Sequence, residues 1–209
     1  MRYILWLTLS LWLPHCQGHE TTPPEETEVI DTIVTFTPPE QVQKVNTLAH
    51  VDYLRRHIGV PSKDTINMWL ASVGLPPNNP FCSAAASYAL DVAGVEQPTV
   101  RSGLARNFVY QTPKDLQIDA NDVYKGFISV PPGYMVVYQR GETRFGHNGF
   151  LTDSISGARG VYISANTSAP DSGGSESSGG GVYEKPFSIN PYSYFRVTDF
   201  VKVIYNESN

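Results

Sequence analysis

Residues 78–94 read NNPFCSAAASYALDVAG and place one cysteine, Cys82, at the start of an alanine-rich segment. Asn79 followed by Pro80 is typical of a helix N-cap and a first helical residue, and Gly94 ends the pattern. The small and apolar residues of this segment leave little polar face: Ala84, Ala85, Ala86, Ala89, Leu90, Val92 and Ala93. We therefore expect a buried helix around which the rest of the fold packs.

Helical patterns precede this segment and strand patterns follow it. A first helix is predicted from a capping box at residues 37–40 to about Ile58. A second spans residues 63–73 with apolar residues at i, i+3, i+4 and i+7, and a short one covers 102–110. The strand-like segments that follow are rich in β-branched and aromatic residues: YMVVYQ, GFLT, GVYIS, GVYEK and YFRVTDFVKVIY. This order predicts an α+β domain with an antiparallel sheet packed on the buried helix.

The first 18 residues have the pattern of a signal peptide. Arg2 is followed by an apolar run of 11 residues (3–13) without an acidic residue, which is too short to span a bilayer but suits a signal-peptide core. Cleavage after Gly18 would remove this segment, and the flanks favour a signal over a buried strand. We therefore expect no transmembrane span and an exported protein, periplasmic or extracellular.

Lipid modification of Cys16 is a second processing route, although His15 before it is larger than the residue such signals usually carry. After either route, residues 19–39, which are rich in Thr, Pro and Glu, are expected to form a linker. The folded domain is expected over residues 40–206.

The composition excludes several classes of function. Hydrophobic residues make up 41% and charged residues 17% of the 209 residues, which is typical of a soluble globular protein with one domain. Without Arg2, 14 basic residues stand against 20 acidic ones, a formal charge of −6. An acidic chain without a basic run offers no surface for nucleic acid. Residues 169–181, APDSGGSESSGGG, are low in complexity and predict a loop between two strands.

Cys82 is the only thiol left to explain once Cys16 is removed or lipidated, so no disulfide framework is expected. In the first turn of a helix, free backbone N–H groups and the helix dipole favour a thiolate and lower its pKa. A packed, unreactive cysteine is the structural alternative. A redox role lacks a C-x-x-C partner, and metal binding lacks a ligand cluster, so we expect no cofactor.

A thiolate nucleophile needs a base, and His147 is the best candidate among the histidines. His19 lies in the linker, and His50 and His57 lie on the first helix among charged residues, where we expect them to be solvated. His147 stands at the start of a predicted strand, where a fixed backbone can aim its imidazole at the thiol. Asn166, at the end of the next strand, is a candidate for orienting the imidazole.

Four sequence blocks follow the layout of CHAP domains, the cysteine, histidine-dependent amidohydrolase/peptidases of the papain-like, NlpC-related superfamily. The resemblance covers residues 54–183. Its blocks are PFCSAAASYALDVAG (80–94), PPGYMVVYQRG (131–141), GHNGFL (146–151), and ISANTS (163–168) with GVYEK (181–185).

The resemblance implies a papain-like fold and hydrolysis of amide bonds in bacterial peptidoglycan. The enzyme would be an N-acetylmuramoyl-L-alanine amidase or a peptide endopeptidase. Cys82 would be the nucleophile, His147 the base and Asn166 the polar orienting group.

The sequence departs from the family pattern at five positions. Phe81 stands where members have Trp, Ser83 where they have Ala, and Tyr134 where they have Asp. Asn148 replaces a small apolar residue beside the histidine. Ser164 replaces an acidic residue, which leaves the orientation of the imidazole to the asparagine two positions later.

A CHAP-like module that binds peptidoglycan without cutting it is the alternative function. Retention of both Cys82 and His147 favours the enzyme, because binding requires neither residue. The two functions predict different geometries, since only the enzyme needs the thiol and the imidazole in contact.

Overall fold

The computed structural model describes residues 48–172, 174 and 179–206. The predicted signal peptide (1–18), the linker (19–39), Cys16 and the capping box at 37–40 lie outside the described residues. What is described thus covers most of the predicted domain.

The described ranges contain α1 (Ala49–Arg55), α2 (Lys63–Ser72), α3 (Cys82–Val92), α4 (Asn107–Tyr110), a 3₁₀ helix (Lys114–Leu116) and α5 (Ala120–Tyr124). The predicted second and third helices are confirmed, and the fourth forms only over its last turn. Ser62 is the N-cap of α2, and its hydroxyl accepts a hydrogen bond from the Thr65 N–H and so satisfies one free donor of the first turn. Within the described ranges, no helix combines the length and the apolar character that crossing a bilayer requires.

In the described part of the chain, eight strands form one large sheet and one small one. They are β1 (Val95–Gln97), β2 (Gln117–Asp119), β3 (Met135–Arg140), β4 (Gly146–Leu151), β5 (Arg159–Thr167), β6 (Gly181–Ser188), β7 (Phe195–Val201) and β8 (Ile204–Tyr205). Six of them pair antiparallel in the order β2-β7-β3-β4-β5-β6, and β1 pairs with β8. The predicted α+β class with an antiparallel sheet is therefore confirmed.

The large sheet buries both of its faces, and each face has its own core. The helix face, against which α1, α2 and α3 pack, carries Met135, Val137, Phe150, Ile163 and Ala165. The outer face carries Val136, Tyr138, Leu151, Tyr162 and Phe200, with α5 packed in the same core. Because successive side chains of a strand point to opposite faces, neighbouring residues of β3 and β4 belong to different cores.

Helix α3 lies close to the sheet because its buried side chains are small. Four alanines of this helix, Ala84, Ala85, Ala86 and Ala89, are at most 1% exposed, and the helix contacts both β4 and β5. Small side chains allow a short distance between helix and sheet, so the first residue of α3 is held directly over the strands.

His50 ties three separate parts of the chain together, and the prediction that it is solvated is wrong. Its side chain is fully buried. The Nε2 atom lies 2.9 Å from the carbonyl oxygen of Gly133, which can only accept, so Nε2 carries the proton. The Nδ1 atom accepts from the Tyr205 hydroxyl, 2.5 Å away. Burial lowers the pKa of His50 to about 4, although the Gly133 hydrogen bond and Asp52 oppose this.

We expect the fold to lose stability as the pH falls from neutral. A histidine with a folded pKa of about 4 and an ordinary value of 6.5 contributes fully above pH 6.5, and its contribution falls as the pH approaches 4. The His50 component amounts to about 3 kcal/mol of unfolding free energy, and the buried His147, whose folded pKa is about 3, adds a component of the same sign. Urea unfolding at pH 7 and pH 4.5 measures their sum. His50→Gln should make the dependence shallower and leave the His147 component, whereas His57→Gln, on the residue just beyond α1, should leave the His50 component in place. Equal slopes for wild type and His50→Gln would contradict the assignment.

Candidate active site

Cys82 is the first residue of α3, two positions nearer the helix start than predicted. The N-cap is Phe81, which has no capping side chain. The predicted cap, Asn79, instead donates from its side chain to the Pro76 carbonyl oxygen at 3.0 Å. The prediction that Asn79 caps the helix and that Pro80 opens it is therefore wrong.

The thiol of Cys82 lies in a closed environment. It is 6% exposed, and its Sγ lies 3.8 Å from the Ser83 hydroxyl oxygen. That hydroxyl donates to the Asn148 Oδ1 at 3.4 Å, which links α3 to β4. Burial raises the pKa of the Cys82 thiol, and this outweighs the hydrogen bonds from Ser83, Asn148 and its own backbone. The predicted lowering of the thiol pKa by the helix start is not found, because desolvation is the larger effect.

His147 lies on the outer face of the sheet. It pairs with Tyr138 of β3, and its ring packs 5.8 Å from the Tyr138 ring and 6.3 Å from the Tyr162 ring, measured between centroids. Phe195 completes the aromatic surroundings at 6.4 Å. The side chain is fully buried, and neither ring nitrogen has a hydrogen-bond partner among the described residues.

Cys82 and His147 are thus on opposite sides of the sheet. The next residue of β4, Asn148, points to the helix face and meets Ser83, so His147 must point away from α3. A thiol–imidazole hydrogen bond is also excluded, because both ring nitrogens lack a partner. The predicted contact between the Cys82 sulfur and the His147 imidazole is wrong.

The electrostatics of His147 also differ from those of a catalytic base. Burial and the nearby Lys185 lower its pKa to about 3. The imidazole is therefore neutral at pH 7, and its conjugate acid is too strong to hold a thiol proton. A general base works best with a pKa near the operating pH.

Ser164 and Asn166, the two residues expected to orient the imidazole, form no hydrogen bond with it. Ser164 is fully buried, and its hydroxyl has no hydrogen-bond partner among the described residues. Asn166 lies at a bulge of β5, with φ of 57°, and makes no hydrogen bond to His147, whose ring nitrogens are both unpaired. The structure therefore separates Cys82 from His147 and leaves the His147 ring without a hydrogen bond from Asn166.

Two adjacent cavities flank the segment that leads into α3, and both are lined by Asn79 and Pro80. The thiol lobe has a volume of about 530 Å³ and is lined by Val73, Leu75, Cys82, Ser83, Ser102, Gly103, Leu104, Ala105, Arg140, Phe145 and Gly146. The asparagine lobe has a volume of about 500 Å³ and is lined by Lys63, Ile66, Asn67, Pro77, Asn78, Phe81 and Asn166. Because the two cavities share Asn79 and Pro80, we call them together the groove.

The sequence prediction missed the role of Asn148 and of the asparagines in the groove. Asn148 was noted only as a departure from the family pattern, yet it is the β4 side chain that faces α3. Its position beside His147 was the available signal, since adjacent residues of a strand cannot face the same side. The asparagine lobe draws on three separate segments, so no local pattern indicated it.

Comparisons of this chain with protein-family models, with curated proteins and with solved structures found no match. The motif order over residues 54–183 and the geometry of the groove are therefore the two supports for a function. The motif order predicts a thiol hydrolase, whereas the geometry separates its predicted nucleophile from its predicted base.

We expect the thiol of Cys82 to react slowly in the folded protein. Its burial and raised pKa keep it protonated and shielded. Reaction with Ellman's reagent at pH 8 should be at least about tenfold slower in the native protein than in guanidinium chloride. The same measurement on Cys82→Ala gives the contribution of Cys16, which is then subtracted. A native rate that equals the unfolded rate at neutral pH would show an exposed thiolate.

Replacing His147 by phenylalanine should not destabilise the protein. The change removes two buried nitrogens without partners and places an aromatic ring among aromatic neighbours. We expect the unfolding free energy to rise by about 1 kcal/mol. His50→Phe is the matched control and should lower it by about 1–3 kcal/mol, because it leaves Gly133 and Tyr205 unpaired. A loss of several kcal/mol for His147→Phe would instead reveal a bonded imidazole.

Proposed function

We propose that this protein is a binding module with a papain-like, CHAP-related layout, which holds peptidoglycan fragments in its groove without cleaving them. The observation that carries the proposal is the separation of Cys82 and His147 by the sheet. A thiol hydrolase of this type requires a base within hydrogen-bond reach of its nucleophile. Here the α3 face of β4 presents Asn148, whose amide cannot take a proton from a thiol at neutral pH.

No rotation of the His147 side chain restores the pair. The side chain starts on the far side of a hydrogen-bonded strand and is packed against Tyr138 and Tyr162. Reaching Cys82 would require β4 to change its pairing with β3, which spans five residue pairs. In ligand-free hydrolases, the distance between nucleophile and base is often somewhat longer than a hydrogen bond. A base on the opposite face of the sheet is not such a small deviation.

The scaffold part of the proposal is supported by the motif order and by the architecture. The CHAP-like blocks lie between residues 80 and 185, and they fall on α3, β3, β4, β5 and β6 in that order. A helix that begins with a cysteine and packs on an antiparallel sheet is the arrangement that a papain-like fold implies. The likeness of layout supports a shared ligand class more than a shared reaction, since function depends on the site.

The ligand part of the proposal is supported by the groove. Its two lobes have volumes of about 530 and 500 Å³, within the range of ligand sites. The thiol lobe combines apolar walls with Arg140, and the asparagine lobe adds amide side chains, so the groove suits a ligand with apolar, acylamino and carboxylate groups. Peptide-linked glycan has all three. The signal-like segment at 1–18 supports an exported location in which such a ligand is accessible.

Amide hydrolysis is the competing function, and one observation favours it. Cys82 stands at a helix start and lines a cavity, which is where a nucleophile of this family would stand. Under the binding proposal, this cysteine is part of the wall of the groove and takes no part in a reaction. The two functions therefore differ in the outcome of a single substitution.

Sedimentation with purified peptidoglycan tests the binding proposal. We expect the protein to sediment with the wall material and to release no soluble fragments detectable by mass spectrometry. Cys82→Ala should bind to the same extent, because it enlarges the thiol lobe by one sulfur atom and removes no charge.

Two outcomes would overturn the proposal. Fragments released by the wild type and lost in Cys82→Ala would establish the hydrolase. Failure of the folded wild type to sediment with any wall preparation would exclude peptidoglycan as the ligand.

A further inference from the structure

We propose that the asparagine lobe recognises secondary amide groups, the chemistry of an acylamino substituent. This inference rests on the proposed function in that the lobe is half of the same groove. It goes further by assigning to one lobe the group that the ligand presents there.

The lining of this lobe carries an unusual set of side chains for a cavity of its size. Four of its nine lining residues are asparagines: Asn67, Asn78, Asn79 and Asn166. They come from α2, from the turn before α3 and from β5, so tertiary structure brings them together. A side-chain amide offers donors and an acceptor side by side, which complements the one N–H and one carbonyl of a secondary amide.

Several of these amide groups are available to a ligand. Asn67 and Asn78 are exposed, and their side chains make no hydrogen bond to the rest of the described chain. Asn79 uses its Nδ2 group on Pro76, which leaves its Oδ1 to accept. The lobe thus presents at least two complete amides and one further acceptor.

The rest of the lining favours a neutral group with an apolar part. Lys63 is the one charged residue among those that line the lobe, and recognition of carboxylates or phosphates usually employs arginine forks. Ile66, Pro77, Pro80 and Phe81 supply apolar surface against which a methyl or Cα–H group can pack. An acylamino group has this combination of a polar amide and an apolar end.

The backbone fixes two of these asparagines in place. Asn78 and Asn166 have φ of 66° and 57°, in the left-handed region that asparagine adopts more readily than most residues. The bulge in β5 redirects Asn166 away from the regular alternation. At position 78, glycine accepts the same backbone conformation, so the side chain can be removed there without strain.

Nuclear magnetic resonance titration of the ¹⁵N-labelled protein tests the assignment directly. The probes are the trimer of N-acetylglucosamine, the same trimer without its acetyl groups, and N-acetyl-trialanine. We expect saturable shifts of the Asn67 and Asn78 side-chain signals with the acetylated trimer, and at least about tenfold weaker binding of the deacetylated one. N-acetyl-trialanine distinguishes peptide from sugar as the source of the amide.

Two substitutions remove ligand-facing amides and leave the fold intact. Asn67→Ala lies on the exposed surface of α2, where alanine is a good helix former, and Asn78→Gly keeps the backbone geometry. Each should weaken binding of the acetylated trimer or of the acetylated peptide by about 3- to 10-fold, as expected for loss of a neutral hydrogen bond. Asn121→Ala, on the exposed surface of α5 and outside both lobes, is the matched control and should bind as the wild type does.

Failure of this inference and failure of the proposed function give different results. Equal binding of acetylated and deacetylated trimers, or unchanged binding by the double variant Asn67→Ala/Asn78→Gly, would overturn the amide assignment. Wall sedimentation that persists in that double variant would leave the proposed function standing without the amide lobe. If the protein binds an acetylated probe but does not sediment with cell walls, the amide assignment holds and peptidoglycan is excluded as the ligand.

Discussion

The close packing of α3 on the sheet is the constraint on which the rest of the structure depends. Four alanines that are at most 1% exposed bring the helix axis near β4 and β5. Larger side chains would leave the helix start further from the strands and would change the shape of the cavities on either side of Asn79–Pro80. The same short distance keeps Cys82 buried and places the Ser83 hydroxyl against Asn148. The closeness that forms the groove therefore also keeps the thiol protonated.

Much of the fold was predictable because its patterns are local. The alanine-rich segment predicted α3, and the i, i+3, i+4, i+7 spacing predicted α2. The β-branched and aromatic runs predicted five of the strands of the large sheet. Four short elements, β1, β2, α5 and the 3₁₀ helix, were not predicted, since each has only three to five residues. His50 was misassigned because its hydroxyl partner stands 155 positions away at Tyr205.

The orientation of β4 could not be derived from its sequence. Residues 146–151 read GHNGFL, and either face receives one glycine, one polar residue and one large apolar residue. The alternation that normally decides which side is buried is therefore balanced. Packing against the neighbouring elements decides the orientation of β4. Phe150 joins the core beneath α3, and Leu151 joins the outer core. Motif order located the histidine along the chain, but only the pairing of β4 determines which face it occupies.

The pairing of the first and last described elements has a consequence for the order in which the chain can fold. His50 is bonded to Tyr205, and β8 pairs with β1, so α1 and β1 are completed by residues far along the chain. On the ribosome, His50 cannot meet Tyr205 until the intervening residues have been made, and the imidazole stays hydrated until then. The native hydrogen-bond network of α1 consequently forms late, after contacts of high sequence separation have closed. The same closure brings the first and last described elements to one place, and a fold of this kind is suited to insertion into, or joining with, another protein at a single point.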